Sequence, residues 1–377
     1  MNTKIWLSSP HMGGNEIKYV HDAFDNNWVA PLGPNVDGLE QDICQFTKSQ
    51  HSAALSSGTA AIHLALIMLG VQHDDYVICQ SFTFSASANP ITYLGAIPVF
   101  VDSDAESWNM CPNLLEDAIK QCIAKGKKPK AIIPVHLYGM SAKMNEIVEI
   151  ANSYEIPIVE DAAEALGSTY NGKALGTFGK LGILSFNGNK IITTSGGGAL
   201  ISDDKALIEK ARFLSTQARD NAPHYQHSHI GYNYRMSNIC AGIGRGQMEV
   251  LNERVAQRRA NFNFYKKILG KIEGITFHDE IPNSFSNRWL TCILVDENKC
   301  GVSREDIRLG LLEDNIESRP LWKPMHLQPV FKDAPAVVNG TSEDLFNIGL
   351  CLPSGSNLNE DELNRIKNKL ISLFRRA

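Results

Sequence analysis

The chain has 377 residues, of which 43% are hydrophobic, and its formal net charge is −5. Because single hydrophobic cores rarely grow past about 250–300 residues, this length predicts two domains. The negative charge argues against a general nucleic-acid or anionic-membrane binder. The N-terminal segment lacks a secretory pattern, no apolar run reaches the roughly 20 residues of a membrane span, and the eight cysteines form no Cys-x-x-Cys pair, so we expect a cytoplasmic protein with reduced thiols.

Helix-like and strand-like segments alternate over the first two-thirds of the chain. The helix-like segments are 59–69, 84–94, 113–124 and 142–154, and the strand-like segments are 76–79, 98–101, 130–135, 156–159 and 182–186. Strands that alternate with helices need crossover connections, so this pattern predicts an α/β domain with a mostly parallel sheet covered on both faces. Ligands of such sheets bind at the carboxyl ends of the strands.

One long helix is predicted over residues 236–269, with Ser237 as its N-cap. Its solvent-facing side is predicted to carry Glu249, Glu253, Arg254, Arg258 and Arg259. Beyond it, strand-like 289–295 and helix-like 304–315 and 360–374 follow without regular alternation. We therefore predict a large domain over residues 1–248, whose extreme N-terminus can pack with the small domain, and a smaller C-terminal α+β domain over residues 249–377.

The turn Ser56-Ser57-Gly58-Thr59 leads directly into an apolar helix. Free N–H groups, the helix dipole, a glycine and hydroxyl donors suit such a junction to binding a phosphate. Ordinary N-capping explains the same residues, and the turn alone does not separate the two interpretations.

Asp161 and Lys190 each follow an apolar, strand-like run. A carboxylate at a strand end can keep a heteroaromatic nitrogen protonated, although Asp161 could equally be a helix N-cap. A partly desolvated lysine can bond covalently to a carbonyl carbon, although most lysines are solvated loop residues. A phosphate-binding turn, a strand-end aspartate and a strand-end lysine, in this order, indicate a site for pyridoxal phosphate.

Several motifs together give a resemblance that extends over about residues 7–373. They are Gly33-Pro34, Ser57-Gly58-Thr59, Ser81-Phe82-Thr83-Phe84, Val135-His136-Leu137-Tyr138-Gly139, Glu160-Asp161-Ala162-Ala163-Glu164, Ser185-Phe186-Asn187-Gly188-Asn189-Lys190 and Gly231-Tyr232-Asn233-Tyr234-Arg235. With these motifs the chain resembles the pyridoxal-phosphate-dependent nucleotide-sugar aminotransferases of the DegT/DnrJ/EryC1/StrS family. The resemblance implies an aspartate-aminotransferase-like fold of type I.

The resemblance also implies roles for individual residues. Lys190 would bind the cofactor covalently and act as general acid and base, Asp161 would pair with the pyridinium nitrogen, and Phe84 would stack on the ring. Phosphate contacts are implied for Gly58, Thr59, Ser185 and, from a neighbouring subunit, Asn233. Glu164 would lie near the ring oxygen or the sugar amine. The shared phosphate site implies a homodimer.

The substrates implied are L-glutamate as amino donor and a UDP-4-keto-6-deoxy-sugar as acceptor, because the run from Ser185 to Lys190 with the segment 319–326 is most similar to transaminases of the UDP-N-acetylbacillosamine pathway. Cations beside aromatic residues and proline fit a diphosphate site. The residues assigned to the substrate are Arg235, Arg288, Arg319 and His326. A GDP- or dTDP-linked 4-keto-sugar is the alternative acceptor.

Other functions and sites are weighed against this interpretation. Dehydratases of the same family lack the lysine, so Lys190 argues against that chemistry, and a non-catalytic cofactor-binding regulator would not respond to glutamate. His224, His227 and His229 have no carboxylate or cysteine at ligand spacing, so no metal is predicted. The glycines at 242, 244 and 246 imitate a dinucleotide fingerprint, but no strand precedes them, which favours close helix packing.

Overall fold

The computed structural model describes residues 2–374. Its helices are α1 (Glu16–Asp25), α2 (Pro34–Thr47), α3 (Gly58–Met68), α4 (Asn89–Tyr93), α5 (Pro112–Ala124), α6 (Met144–Ser153), α7 (Lys205–Ser215), α8 (Asn238–Glu249), α9 (Leu251–Leu269), α10 (Glu297–Cys300), α11 (Arg304–Glu313), α12 (Thr341–Ile348) and α13 (Glu360–Phe374). Its strands are β1 (His51–Leu55), β2 (Tyr76–Gln80), β3 (Ile97–Val101), β4 (Ala131–Ile133), β5 (Val159–Asp161), β6 (Thr169–Tyr170), β7 (Lys173–Ala174), β8 (Leu181–Ser185), β9 (Gly198–Ser202), β10 (Ile275–Phe277), β11 (Ser284–Phe285), β12 (Thr291–Val295), β13 (Arg319–Pro320), β14 (Ala336–Val337) and β15 (Gly349–Leu352). None of these helices is long and apolar enough to cross a membrane.

The main sheet has the strand order β1-β9-β8-β5-β4-β2-β3-β14. β4 and β5 are joined by parallel bridges from Ile132 to Ile158 and from Val135 to Asp161. β9 runs antiparallel to β1 and β8, and the other pairings are parallel. The predicted α/β fold with a mostly parallel sheet is therefore confirmed.

Alternate side chains of the central strands enter different cores. Ile78 of β2 and Val99 of β3 belong to one buried apolar cluster, and their neighbours Val77 and Phe100 belong to another. Successive side chains of a strand point to opposite faces, so a strand buried on both faces reads as a continuous apolar run. Helices cover both clusters, which leaves the strand ends as the place where polar side chains can meet.

A second, antiparallel sheet has the order β10-β12-β15-β13. It shares a separate apolar cluster with α9, α11 and α13, and Ile5 joins that cluster through a parallel bridge to Ile316. β14, late in the chain, returns to pair with β3 of the main sheet. The division at residues 248 and 249 stays a prediction.

The predicted long helix is two helices, because Val250 leaves the helical conformation with φ −107° and ψ 4°. Its side chain packs against Gly13, where an added Cβ would lie 2.9 Å from Val250 Cγ1. Ser237 is the N-cap of α8 as predicted, and its hydroxyl accepts a hydrogen bond from the Cys240 N–H. Arg254 and Arg258, predicted to be solvent-facing, are 3% and 1% exposed, so that part of the prediction is wrong.

The segment 84–94 forms only a 3₁₀ turn at Ser85–Ser87 and the short helix α4, rather than one helix. Pro90 has no N–H and is tolerated only in the first turn of a helix. A helix running unbroken through it would lose a hydrogen bond. The break leaves Ser87 buried and directed at Asp161.

The glycines of α8 confirm the helix-packing interpretation. A Cβ on Gly246 would lie 2.6 Å from the backbone of Glu16, and one on Gly244 would lie 2.9 Å from Leu39. Gly242 is similarly close to Tyr19. These residues lie inside a helix that packs against α1 and α2, so their small size serves close approach.

Candidate active site

A cavity of about 770 Å³ opens at the carboxyl ends of β5 and β8, next to the first turn of α3. Residues from the N-terminal segment 6–8, from the segment around 289 and from residues 317–322, which include β13, complete its wall. The predicted site residues that line it are Gly58, Thr59, Phe84, Asp161, Ser185, Lys190 and Arg319. Residues more than 250 positions apart in the sequence therefore share one cavity.

The first turn of α3 forms a corner of the cavity that is suited to an anion. Ser57 is its N-cap, with a hydroxyl that accepts from the Ala60 N–H at 3.0 Å. The N–H groups of Gly58 and Thr59 have no intrahelical acceptor, and the helix dipole adds positive potential there. A Cβ on Gly58 would lie 3.3 Å from the Ser185 Cβ, so glycine allows α3 to approach β8 closely. The Ser57 cap is observed, and it leaves these N–H groups available to an anion, so phosphate binding at this turn stays a prediction.

Asp161 is the last residue of β5 and is 4% exposed. Its Oδ2 accepts a hydrogen bond from Ser87 Oγ at 2.6 Å, and its Oδ1 accepts from the Ala163 N–H at 3.1 Å. The Ser87 hydroxyl lies 2.8 Å from that of Thr83, so Thr83 must donate to Ser87 if Ser87 donates to Asp161. Sequence reasoning missed Ser87, since nothing in its local sequence indicates that it faces a carboxylate.

Lys190 lies between an acid and an aromatic ring. Its Nζ is 3.2 Å from Glu164 Oε1 and 4.5 Å from the ring centre of Trp289. The other oxygen of Glu164 accepts from the Tyr138 N–H at 2.8 Å. Burial raises the pKa of Glu164, while the charge of Lys190 acts in the opposite direction. Glu164 therefore lies beside the amine, although it is not among the residues that line the cavity, and its contact with the ring oxygen or the sugar amine stays a prediction.

Phe84 and Arg319 lie towards the opening. Phe84 is 55% exposed, and its ring centre is 5.4 Å from that of Trp322. Arg319 donates two hydrogen bonds to Glu317 Oε1, at 3.0 and 2.7 Å. Glu317 also accepts from the Leu7 N–H. Burial alone would raise the pKa of Glu317, but these hydrogen bonds and the nearby cations hold it below its usual value.

Two of the four predicted substrate residues are used elsewhere in the fold. Arg235 is buried, pairs with Glu40 at 2.5 Å and donates to the Ala54 carbonyl. Arg288 is also buried, and donates to the His278 carbonyl 2.6 Å away. Neither lines the cavity of its own chain. The pattern of cations beside aromatic residues carries no information about these buried partners.

His326 and Asn233 also lie outside the lining of this cavity. The Nδ1 of His326 is 2.6 Å from Ser81 Oγ, and burial lowers the pKa of His326. Asn233 is exposed and forms a backbone bridge with Thr216. His224, His227 and His229 are exposed, and residues 2–374 contain no group of three or more metal-ligating side chains.

The cavity residues fit pyridoxal phosphate. The α3 turn and Ser185 offer neutral donors for a phosphate, Asp161 offers a buried carboxylate for a ring nitrogen, and Lys190 offers an amine for the aldehyde. Gly58 has no side chain to block the approach of an anion to the turn. The donors, the acid and the amine border one continuous space.

Comparison with known proteins agrees with this geometry. The sequence profile of the DegT/DnrJ/EryC1/StrS aminotransferase family matches residues 10–371. The chain is 54% identical to EpsN of Bacillus subtilis (strain 168), a candidate pyridoxal phosphate-dependent aminotransferase, over 99% of this chain and 97% of EpsN. It is 37% identical to GDP-perosamine synthase of Escherichia coli O157:H7, over 95% of each chain.

Solved structures give the same result. The pyridoxal phosphate form of Spr1654, a candidate sugar aminotransferase from Streptococcus pneumoniae, superposes with a TM-score of 0.89 at 26% identity and 99% coverage of both chains. The family match covers nearly the whole chain and includes every motif around the cavity. The chain belongs to the DegT/DnrJ/EryC1/StrS family and is a pyridoxal-phosphate-dependent sugar aminotransferase.

Proposed function

We propose that this enzyme transfers the amino group of L-glutamate to C4 of a UDP-4-keto-6-deoxy-sugar, with a 2-acetamido group at C2 of the sugar. The product would be a UDP-4-amino-sugar, a precursor of bacillosamine or of another surface glycan. The observation that carries the proposal is the meeting of Lys190, Asp161 and the α3 turn in one cavity. This arrangement combines an amine that can hold the cofactor covalently, a carboxylate for the ring nitrogen and a helix start for the phosphate.

Lys190 has two tasks in this reaction. Its amine holds the cofactor between reactions, and when the amino donor takes its place the freed amine moves a proton at the donor Cα. Glu164 Oε1, at 3.2 Å, holds that amine inside the cavity. Because the Tyr138 N–H fixes the other oxygen of Glu164, the carboxylate cannot turn away.

Asp161 favours the loss of that proton. Pyridoxal phosphate, when bound, supplies an electrophilic carbon for the amine and a ring that accepts electrons. A carboxylate held by Ser87 and by the Ala163 N–H is oriented to keep a pyridine nitrogen protonated. A protonated pyridine ring withdraws electrons from the donor Cα more strongly than a neutral one. The orientation of Asp161 should therefore increase the rate at which the proton leaves Cα.

The acceptor sugar is assigned from the outer part of the cavity. Arg319 is the predicted diphosphate ligand that lines the cavity, and Trp322 and Phe84 provide aromatic surface beside it. A guanidinium can hold a diphosphate with parallel hydrogen bonds. The choice of UDP rests on the resemblance of the segments 185–190 and 319–326 to UDP-sugar transaminases.

The experiment is direct. The purified protein is mixed with pyridoxal phosphate, L-glutamate and a panel of UDP-, GDP- and dTDP-linked 4-keto-6-deoxy-sugars, and products are identified by NMR. We expect 2-oxoglutarate and a 4-amino UDP-sugar in equal amounts. Activity with GDP- or dTDP-sugars alone would overturn the nucleotide assignment, and product without 2-oxoglutarate would overturn transamination.

A GDP-linked 4-keto-sugar is the second candidate acceptor. The 37% identity to GDP-perosamine synthase of Escherichia coli O157:H7, over 95% of each chain, favours it. The same panel separates the two candidates through the ratio of kcat/KM for UDP- and GDP-linked compounds.

We further propose a homodimer in which Asn233 contacts the phosphate in the partner's site. Asn233 is exposed and lies outside the cavity of its own chain, and Ile17, Phe24 and Trp28 add exposed apolar surface. Mixed dimers of Lys190→Ala and Asn233→Ala chains test this. If Asn233 acts across the interface, each mixed dimer has one intact site and regains activity; if it acts within its own chain, both sites stay defective.

A further inference from the structure

Trp289 forms one side of the environment of the catalytic amine. The Lys190 Nζ is 4.5 Å from the centre of the indole ring, on the cavity wall, while Glu164 contacts the same nitrogen at 3.2 Å. An ammonium over the face of an aromatic ring is attracted to its negative π surface. The amine therefore has two partners, a carboxylate and an aromatic face, that hold it at this part of the wall.

Trp289 is held rigidly in this orientation. It is 2% exposed, and its indole N–H donates to the Asn189 carbonyl at 2.7 Å. Its backbone N–H donates to Asn287 Oδ1 at 2.9 Å. The ring of Tyr138 lies nearly parallel to it, with an interplanar angle of 18°. Because the Trp289 indole is hydrogen-bonded to Asn189, the residue just before Lys190, the ring keeps its position relative to the lysine.

Arg258 connects Trp289 to the loop that carries Asn189 and Lys190, here called the lysine loop. Its guanidinium donates to the carbonyls of Trp289 and Lys190, at 2.5 and 3.4 Å, and to the Ser8 hydroxyl at 2.9 Å. Arg258 is 1% exposed, and burial lowers its pKa to about 9. These acceptors are neutral, so the desolvation of a buried cation is offset by hydrogen bonds alone.

The Ser8 hydroxyl donates to the Asn189 carbonyl at 2.7 Å. Arg258 and its neighbours thus join three distant parts of the chain: the N-terminal segment, the lysine loop and the segment that precedes β12.

We propose that Trp289 is a positioning residue for Lys190. Its indole face is where the ε-amine rests whenever that amine is not covalently bonded, and Arg258 holds the indole in place. In the transamination proposed above, the amine is free in this sense during the proton-transfer step. The second experiment below rests on that proposed reaction. The ring stabilises the amine after it has taken a proton and keeps it from swinging towards solvent.

The first experiment does not depend on catalysis. The full-length protein without cofactor is labelled with a trace of acetic anhydride, and acetylation of Lys190 is measured by peptide mass spectrometry relative to the exposed Lys205. Trp289→Leu should raise the relative rate about two- to fivefold, because the amine is no longer held against the ring and reaches the reagent more often. Trp289→Phe keeps a ring and should stay closer to the wild type.

Trp6→Leu is the matched control. Trp6 lines the same cavity, but the amine over its ring is that of Lys4 at 3.8 Å, so its loss widens the cavity without changing the face beside Lys190. We expect its labelling ratio to equal that of the wild type. An unchanged ratio in Trp289→Leu, or an equal rise in Trp6→Leu, would overturn the proposal. Circular dichroism and thermal melts establish that each variant is folded.

The second experiment measures the primary deuterium isotope effect on kcat with glutamate deuterated at Cα. A misplaced amine slows proton transfer, so Trp289→Leu should increase the isotope effect, whereas a loss of folded protein alone leaves it unchanged. A wild-type isotope effect in Trp289→Leu would contradict the positioning role. If wild-type enzyme does not react with glutamate, the proposed donor is wrong, and the labelling experiment still decides the role of Trp289.

Discussion

The cavity has two walls that are built differently. The sheet wall consists of the α3 turn, Asp161, Ser185 and Lys190, all at or next to the ends of main-sheet strands and of the helix packed on them. The loop wall consists of residues 317–322 with Phe84, in which Arg319 is exposed and bound to Glu317. The main-sheet strands and α3 fix the sheet wall, whereas the loop wall has only the two-residue strand β13 and the irregular segments beside it. We infer that the chemistry depends on the first wall and the choice of sugar on the second.

The largest expected effect tests the sheet wall. Lys190→Ala should lower kcat by about 10³-fold or more, because both the covalent anchor and the proton carrier are lost. Turnover is measured as 2-oxoglutarate release. Lys180→Ala, at an exposed lysine ten residues earlier, should keep wild-type turnover. Near-normal transamination by Lys190→Ala would remove this residue from the mechanism.

The next largest effect is expected at Asp161, the carboxylate assigned to the ring nitrogen. Asp161→Ala should reduce kcat by about 10²-fold, which is typical when a preorganised electrostatic partner of the reacting group is removed. The Kd for pyridoxal phosphate should change less than kcat, since the α3 turn and Lys190 remain. Both quantities come from spectrophotometric titration and steady-state kinetics on one preparation. An equal loss in both would assign Asp161 to cofactor binding alone.

A substitution in the loop wall should change the KM for the nucleotide sugar. Arg319→Gln should raise the KM for the nucleotide sugar about three- to tenfold, as expected for the loss of one charged hydrogen-bond donor at a partly solvated site. The kcat and the KM for glutamate should change little. Arg308→Gln is the control, because Arg308 pairs with Glu305 on α11 and does not line the cavity. If Arg319→Gln lowered kcat and left the KM for the nucleotide sugar unchanged, the proposed division of roles between the two walls would be wrong.

The smallest kinetic effect is expected at Arg288. Its guanidinium is buried beside Glu280 and over the ring of Phe262, so we expect Arg288→Gln to leave the KM for the nucleotide sugar within about twofold of the wild type. The free energy of unfolding should fall by about 1–3 kcal/mol, because buried acceptors lose a charged partner. Chemical denaturation measures the loss. A large increase in KM would return Arg288 to the substrate site.

Patterns along the sequence located the sheet wall because its residues stand next to recognisable elements. A glycine at a helix start and polar residues after apolar runs are local signals, and parallel strands bring their carboxyl ends to one edge. The loop wall gave weaker signals. Arg288, Arg319 and His326 look alike as cations near aromatic residues, yet only Arg319 lines the cavity.

The long helix shows the same limit. Arg254 and Arg258 have the spacing of solvent-facing residues, but α9 is covered on that side by the N-terminal segment: Arg254 donates to the Met12 carbonyl and Arg258 to Ser8. A helical pattern reports which residues share a face, and it does not report what later packs on that face.

The α/β class, the family and the order of phosphate turn, aspartate and lysine can all be read from the amino-acid sequence, because they depend on local periodicity and on motifs that are contiguous in the chain. Which charges face the cavity depends on the folded chain. Folding pairs Arg235 with Glu40 and Arg288 with Glu280, and it sets Trp289 over the Lys190 amine. A buried charge or ring takes its role from the groups that folding packs around it, and a pattern of cations beside aromatic residues does not report those groups.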